Sequence, residues 1–389
     1  MSGEFDFRAL LLKIQDRLSD NDRLRFLFLL GEDVPRYVRD DPPLIGALRA
    51  LESLFDKAII NAQDCDYLIK AFKTIGCNDA AKRLQVVPNI PTNARWAQNG
   101  TTVAGGPGPG SAADRLFYPY GLSIDDDQTM VIADSWNQRI MQWKMGDKIG
   151  QVVAGGHDNG SRLNQLNYPT DVLIDNETDR LIICDRDNSR VVQWSRSSGT
   201  IQGEILMDNI ACWGLTMDAH RCLYVPDWKK HEVRRYEIGE KHGTVVAGGH
   251  GQGAALNQLN EPTYIFVDQQ QTVYVSDNNN HRVMKWNKGA TEGIIVAGVQ
   301  GYQNALSQMR HPNGLFVDTL DTVYVADTYN HRVMRWPKGA KEGTVIVGGN
   351  DKGPRADQFN LPTGLSFDRH GNLYVADRLN SRVQQFTIE

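Results

Sequence analysis

One turn recurs six times between residue 134 and the end of this 389-residue chain, and it limits the fold more than any other feature. Its aspartates are Asp134, Asp185, Asp227, Asp277, Asp327 and Asp377, separated by 51, 42, 50, 50 and 50 residues. An aromatic residue follows each aspartate by nine positions: Trp143, Trp194, Tyr236, Trp286, Trp336 and Phe386. Around each turn, short runs alternate apolar and polar residues, as in Asn372 to Asp377, the pattern of half-buried strands. A self-similar period of roughly 50 residues indicates a repeat architecture.

Each unit divides into four strands. The first is a Pro-led run such as Pro312 to Asp318, the second ends in the turn aspartate, the third ends in the aromatic, and the fourth resembles Gly243 to Gly249. Six radially repeated units of four strands predict a six-bladed β-propeller over residues 95–389. The last unit stops at Glu389 after its third strand, while Thr101 to Gly106 is an isolated copy of a fourth strand. The spacing therefore predicts that residues 101–106 complete the sixth blade and remove the open edges.

The turn has a structural logic. Aspartate and asparagine bond local backbone N–H groups, and an arginine two residues beyond the asparagine can reach a carboxylate. Asp134, Asn137 and Arg139; Asp185, Asn188 and Arg190; Asp277, Asn280 and Arg282; Asp327, Asn330 and Arg332; and Asp377, Asn380 and Arg382 are read as scaffold. Asp227 begins the exception, Asp-Trp-Lys-Lys-His-Glu, with no asparagine and a glutamate in place of the arginine. The lead-in at residues 203–213 is also short. The repeated aromatics are expected to pack between blades.

The triplets Asn137-Gln-Arg, Asn188-Ser-Arg, Asn280-His-Arg, Asn330-His-Arg and Asn380-Ser-Arg resemble the turn of the NHL repeat family. That resemblance implies a protein-binding platform in most members, RNA binding in some, and zinc-lyase activity or calcium binding in a few. The variable residues after each aspartate are Ser135/Trp136, Arg186/Asp187, Trp228/Lys229, Asn278/Asn279, Thr328/Tyr329 and Arg378/Leu379. They are mixed in charge and form no continuous basic stripe. Trp136, Trp228, Lys229, Lys230 and Tyr329 are the candidate protein-binding residues, since aromatic anchors on loops carry much of interface energy.

Residues 1–86 read as a separate all-α unit. Phe7, Leu10, Leu11, Ile14 and Leu18 keep a helical period. Ser19, Asp20 and Asn21 offer caps for a second helix that Gly31 ends. Pro35 and Pro43 open later helices, and Asn61 or Asp64 precedes one that Gly76 stops. Residues 87–94, with Pro88 and Pro91, form a short linker. The run Leu24-Arg-Phe-Leu-Phe-Leu-Leu-Gly31 resembles the second helix of the death effector domains of the death-fold superfamily. This implies a six-helix bundle, homotypic assembly through a patch containing Phe26, and pairing of Asp20 or Asp22 with a last-helix motif. In that motif, Cys77-Asn-Asp-Ala80, Asp79 is kept but the family's arginine and leucine are not.

Formal charge is −5, which gives no support to a generic nucleic-acid or membrane partner. No apolar run has transmembrane length, and the acidic start lacks signal-peptide character. The five cysteines, Cys65, Cys77, Cys184, Cys212 and Cys222, follow no disulfide or zinc spacing and are expected as isolated thiols. A cytoplasmic location is expected, in part for that reason. No catalytic motif emerges. His231, His281 and His331 share one repeat position, which circular symmetry spreads over successive blades. The expected function is a non-enzymatic adaptor without cofactor or bound metal, joining a death-fold partner or a second copy to another protein, in apoptotic or innate immune signalling. The alternatives are an RNA-binding regulator using the propeller face and a metal-dependent lyase of the NHL type.

Overall fold

The computed structural model describes residues 18–57, 66–77, 90–91, 93–125, 127–196, 200–298 and 305–389. The chain separates into two compact units, Met1–Pro91 and Thr92–Glu389.

In the first unit, four α-helices are described: α1 (Asp20–Leu30), α2 (Arg36–Arg39), α3 (Pro43–Asp56) and α4 (Asp66–Thr74). Ser19 caps α1 in a capping box. Its hydroxyl accepts from the Asp22 amide, and the Asp22 carboxylate accepts from the Ser19 backbone. The Ser19 hydroxyl, donating to the Asp22 carboxylate at 2.6 Å, and then the Ser19 amide hold that carboxyl below its ordinary range. Asp20 pairs with Arg23 at 2.7 Å. Both acids thus serve the helix start, where the macrodipole favours negative charge. Gly31 ends α1 at φ 51°.

Phe26 requires a correction. It is completely buried, stacked on Phe72 at 4.8 Å in a core with Leu27, Leu30, Leu51 and Leu54. The exposed ring of α1 is Phe28, 87% accessible, flanked by Leu24 and Leu29. The helix therefore buries Phe26 together with Leu27 and Leu30, and Phe28 is exposed in its place. The expected first and last helices, with Asp79, lie outside the described residues. Four described helices make a small helical unit and do not establish a six-helix death fold.

The second unit is a six-bladed propeller of four-stranded antiparallel sheets. Blade 1 is β2 (Pro119–Ile124), β3 (Thr129–Asp134), β4 (Arg139–Lys144) and β5 (Gln151–Gly155). Blade 2 is β6 (Pro169–Asp175), β7 (Arg180–Asp185), β8 (Arg190–Ser195) and β9 (Glu204–Asp208). Blade 3 is β10 (Thr216–Met217), β11 (Cys222–Asp227), β12 (Glu232–Glu237) and β13 (Thr244–Gly248). Blade 4 is β14 (Pro262–Val267), β15 (Val273–Asp277), β16 (Arg282–Trp286) and β17 (Ile294–Ala297). Blade 5 is β18 (Pro312–Val317), β19 (Val323–Asp327), β20 (Arg332–Trp336) and β21 (Thr344–Gly348). Blade 6 joins β22 (Pro362–Phe367), β23 (Leu373–Asp377) and β24 (Arg382–Phe386) to β1 (Thr101–Gly105).

The closure expected from the sequence is present: β1 pairs antiparallel with β24. The Trp96–Ile388 bridge and the Glu389 amide on the Arg95 carbonyl, at 2.9 Å, continue it. The repeated aromatics pack on the preceding blade. Trp194 joins Val131 and Ile140 of blade 1, Trp336 joins Tyr274 and Val283 of blade 4, and Trp143 joins Tyr374 and Val383 of blade 6.

The turn residues act as scaffold. Asp277 is fully buried and accepts from the Asn260 amide, Asn280 and Arg282 at 2.7, 2.8 and 2.7 Å. Arg282 also donates to the Ala254, Ala255 and Gln258 carbonyls of the incoming loop. The same Asp–Arg pair recurs at Asp134–Arg139, Asp185–Arg190, Asp327–Arg332 and Asp377–Arg382, within 2.6–2.8 Å. Each arginine therefore ties the end of the second strand to the loop that feeds the same blade. In blade 3, Glu232 pairs instead with Arg234, and Lys230 reaches Asp227 at 3.5 Å.

The isolated-thiol expectation is also corrected. Cys184 of β7 and Cys212 form a buried disulfide, while Cys77 and Cys222 are free. The pair escaped sequence reasoning because the irregular segment before β10 folds back beside blade 2. One ground for a cytoplasmic location is thereby removed. Cys65 lies outside the described residues. No described helix is long and apolar enough to cross a membrane.

Candidate functional site

The first strands of the blades pack on one another around the propeller axis: β2 touches β6 and β22, β14 touches β18, and β18 touches β22. This close approach requires small residues. A Cβ on Gly121 would fall 2.0 Å from Asp171 Oδ1, and one on Gly364 would fall 2.5 Å from the Tyr120 carbonyl oxygen. Pairing of Pro119 with Asp134, and of its counterparts in blades 2, 4, 5 and 6, places the start of those first strands beside the turn that follows the second strand. The register slips between Pro119 and Leu122, and Tyr120 is set in that interruption.

At this end of the axis, blades 6, 1, 2 and 3 build a mouth of aromatic and guanidinium groups. Tyr120 lies 5.7 Å from Tyr168 and 5.9 Å from Trp213 between ring centroids. Trp213 meets Trp228 edge-on at 6.4 Å. On the other flank, Trp136 packs against Phe117, Tyr118 and Tyr168 and remains about half exposed. Tyr118 and Tyr168 hold φ of 52° and 53°, a left-handed conformation that costs a bulky residue about 1–3 kcal/mol. The Gln138 side-chain oxygen helps fix Tyr168 by accepting from its amide at 2.5 Å.

Two arginines stack into this cluster. The Arg186 guanidinium lies 4.2 Å from the Tyr168 ring centroid and 5.0 Å from that of Trp213. Arg378 lies 4.5 Å from the Tyr120 centroid and 5.3 Å from that of Tyr118, and donates to the Tyr168 hydroxyl at 3.4 Å. Such contacts are attractive because the ring face is electronegative. Deeper in, Asp171 is buried with its oxygens bonded to the Val172 and Leu215 amides at 3.0 and 2.8 Å. Burial pushes its carboxyl up to about 7, against those two bonds. Tyr264 is buried beside it, donates to the Thr170 carbonyl and has its phenol pushed up by burial.

The sequence candidates divide. Trp136 and Trp228 belong to this mouth, and Lys229 caps the Trp228 ring at 5.3 Å. Lys230 is engaged with Asp227. Tyr329 belongs to a second group in blades 4 and 5, with His311 at 4.8 Å and Arg310 at 5.4 Å. Tyr118, Tyr120, Tyr168 and Trp213 were not singled out in the sequence. A visible signal was the aromatic before the first-strand proline in units one and two, at Tyr118 and Tyr168. Arg186 and Arg378 were visible as variable turn residues, but nothing in the sequence placed them on these rings.

His231, His281 and His331 are latches between blades. Each Nδ1 accepts the amide of the residue before the next blade's first-strand proline, at Glu261, His311 and Leu361, over 3.1–3.2 Å. Among the described residues, no three His, Cys, Asp or Glu side chains converge as metal ligands.

The profile of the NHL repeat matches residues 309–335 and 359–386, so the chain carries NHL repeats. No curated protein matches it in sequence. Solved structures share the propeller at low identity. An auxiliary nutrient binding protein from Bacteroides thetaiotaomicron is 18% identical with a TM-score of 0.56, covering 78% of this chain and 75% of its own. A gluconolactonase from Xanthomonas campestris is 14% identical with a TM-score of 0.53, covering 78% and 99%. A catalytically inactive virginiamycin B lyase from Staphylococcus aureus, with quinupristin, is 10% identical with a TM-score of 0.50, covering 75% and 99%.

The chain is thus defined as a six-bladed β-propeller, with the NHL repeat matched at residues 309–335 and 359–386, and an N-terminal helical unit. The comparison corrects one expectation. Gluconolactonase and virginiamycin B lyase are enzymes on this propeller fold, so a non-enzymatic role does not follow from the architecture.

Proposed function

We propose that the propeller is a docking platform for a partner protein, engaged at the axial end where the inter-strand turns lie. The observation that supports this is the aromatic belt at that end, in which Trp136 is about half exposed and Tyr118, Tyr168, Trp213 and Trp228 are partly buried. Clustered aromatics on rigid elements provide contact area at little entropic cost, the property of interface anchors. In this reading the helical unit supplies a second contact through the exposed Phe28 face of α1, and the chain bridges two proteins.

The test is affinity capture with the full chain beside a Trp136→Ala/Trp228→Ala variant of unchanged melting temperature. Direct titration of each recovered protein, purified, follows. A partner that binds the wild type and loses at least tenfold in affinity to the variant supports the platform. Equal binding of every partner by both chains removes it.

A further inference from the structure

We infer that the arginine–aromatic mouth is a receptor for a carboxylate carried by a peptide, with Arg378 as its principal contact; this rests on the docking reading above. Arg378 differs from the five motif arginines. Those are paired with buried aspartates, whereas no described carboxylate lies within ion-pair distance of Arg378. Its described hydrogen bond, to the Tyr168 hydroxyl, is long at 3.4 Å, and its Nε–H is buried without an acceptor. The guanidinium is held against Tyr118 and Tyr120, so it is oriented before any ligand arrives.

The remaining donors of the mouth point to the rest of the ligand. The indole N–H groups of Trp213 and Trp228 are also buried without acceptors. A buried donor left unmet loses the hydrogen bond it had with water and gains none in return. A ligand that enters this mouth should therefore be rich in acceptors. A carboxylate fits the planar fork of Arg378, and peptide carbonyls fit isolated indole N–H groups. The apolar side chain next to the acid would lie on Trp136.

Charge separates this ligand from a phosphate. Arg186 is already held by Asp187 at 2.8 Å, leaving Arg378 as the uncompensated guanidinium of the pair. One free positive charge suits a single carboxylate better than a dianion or a run of nucleic-acid phosphates.

The experiment uses a displayed random heptapeptide library on the immobilised full chain, then synthetic copies of the selected peptides. The library should yield peptides with Asp or Glu beside an aromatic or branched apolar residue. Changing that acid to its amide, or Arg378→Gln in the protein, should each weaken binding on the order of tenfold to a hundredfold, with little further loss when combined. Arg186→Gln should weaken binding less, and thermal melting of each variant checks the fold. Peptides without acid, or affinity indifferent to Arg378→Gln, overturn the carboxylate site and leave the docking platform standing. Failure to select any peptide removes the carboxylate-peptide site, while the docking platform stands or falls by the capture experiment above. An oligo(U) RNA that binds the full chain and depends on Arg378, where acidic peptides do not, replaces the carboxylate reading with a nucleic-acid one.

Discussion

Replacing Arg282 by methionine tests whether the Asp–Asn–Arg turn holds the blades in register. The Asp277 carboxylate is fully buried, and the Arg282 side chain is 8% exposed, so solvent screens the pair little. Removing the guanidinium leaves Asp277 with Asn280 and the Asn260 amide but no countercharge. It also strips a donor from the carbonyls of Ala254, Ala255 and Gln258, which lie 2.9, 3.1 and 3.3 Å away. Breaking a buried ion pair on one side costs about 3–5 kcal/mol. At about 2 °C per kcal/mol for a unit of this size, melting should fall by about 6–10 °C. Urea and thermal unfolding of the full chain, followed by tryptophan fluorescence, measure this. The double variant Asp277→Asn/Arg282→Met removes the orphaned charge and should recover at least about 1 kcal/mol of the loss. A single variant within about 0.5 kcal/mol of wild type would refute the reasoning, as would a double variant no better than the single one.

Two further perturbations concern the joints between blades. Burial, with Arg310 nearby, holds the His281 and His331 imidazoles below their ordinary value of 6.5. Their folded pKa is depressed, so this stability is fully present above pH 6.5 and is lost as pH falls through the lower folded values. Melting temperature should drop with acid over that range. A His281→Gln/His331→Gln variant, which copies the acceptor seen at Gln138, should flatten the drop; an unchanged pH profile would count against the latch. The Cys184–Cys212 disulfide closes a separation of 28 residues, worth about 3–4 kcal/mol in the chain-entropy account. Under denaturing, non-reducing conditions two of the five cysteines should resist alkylation until a reductant is added, and Cys212→Ser should lower stability by up to that amount. Alkylation of all five at once would exclude the bridge.

By itself the sequence determined the propeller, its six blades and its closure. These features rest on a repeat whose alternation, turns and terminal half-unit are local or periodic, and strand 101–105 completes blade 6 where the missing fourth strand required it. The scaffold role of the Asp–Asn–Arg turn was legible for the same reason, since its chief contacts lie within one blade. The phase of α1 was not, because Leu24 to Leu30 is apolar at nearly every position and offers no unique stripe. Only the core chose to bury Phe26 and expose Phe28. The mouth was decided by tertiary structure as well. Arg378 reaches Tyr118 and Tyr120 because ring closure sets the last blade beside the first. Trp213 reaches Arg186 where Cys212 is bridged to blade 2. Sequence periodicity specifies which units repeat, whereas the meeting of side chains from different units depends on how the circle closes and where one blade departs from its pattern.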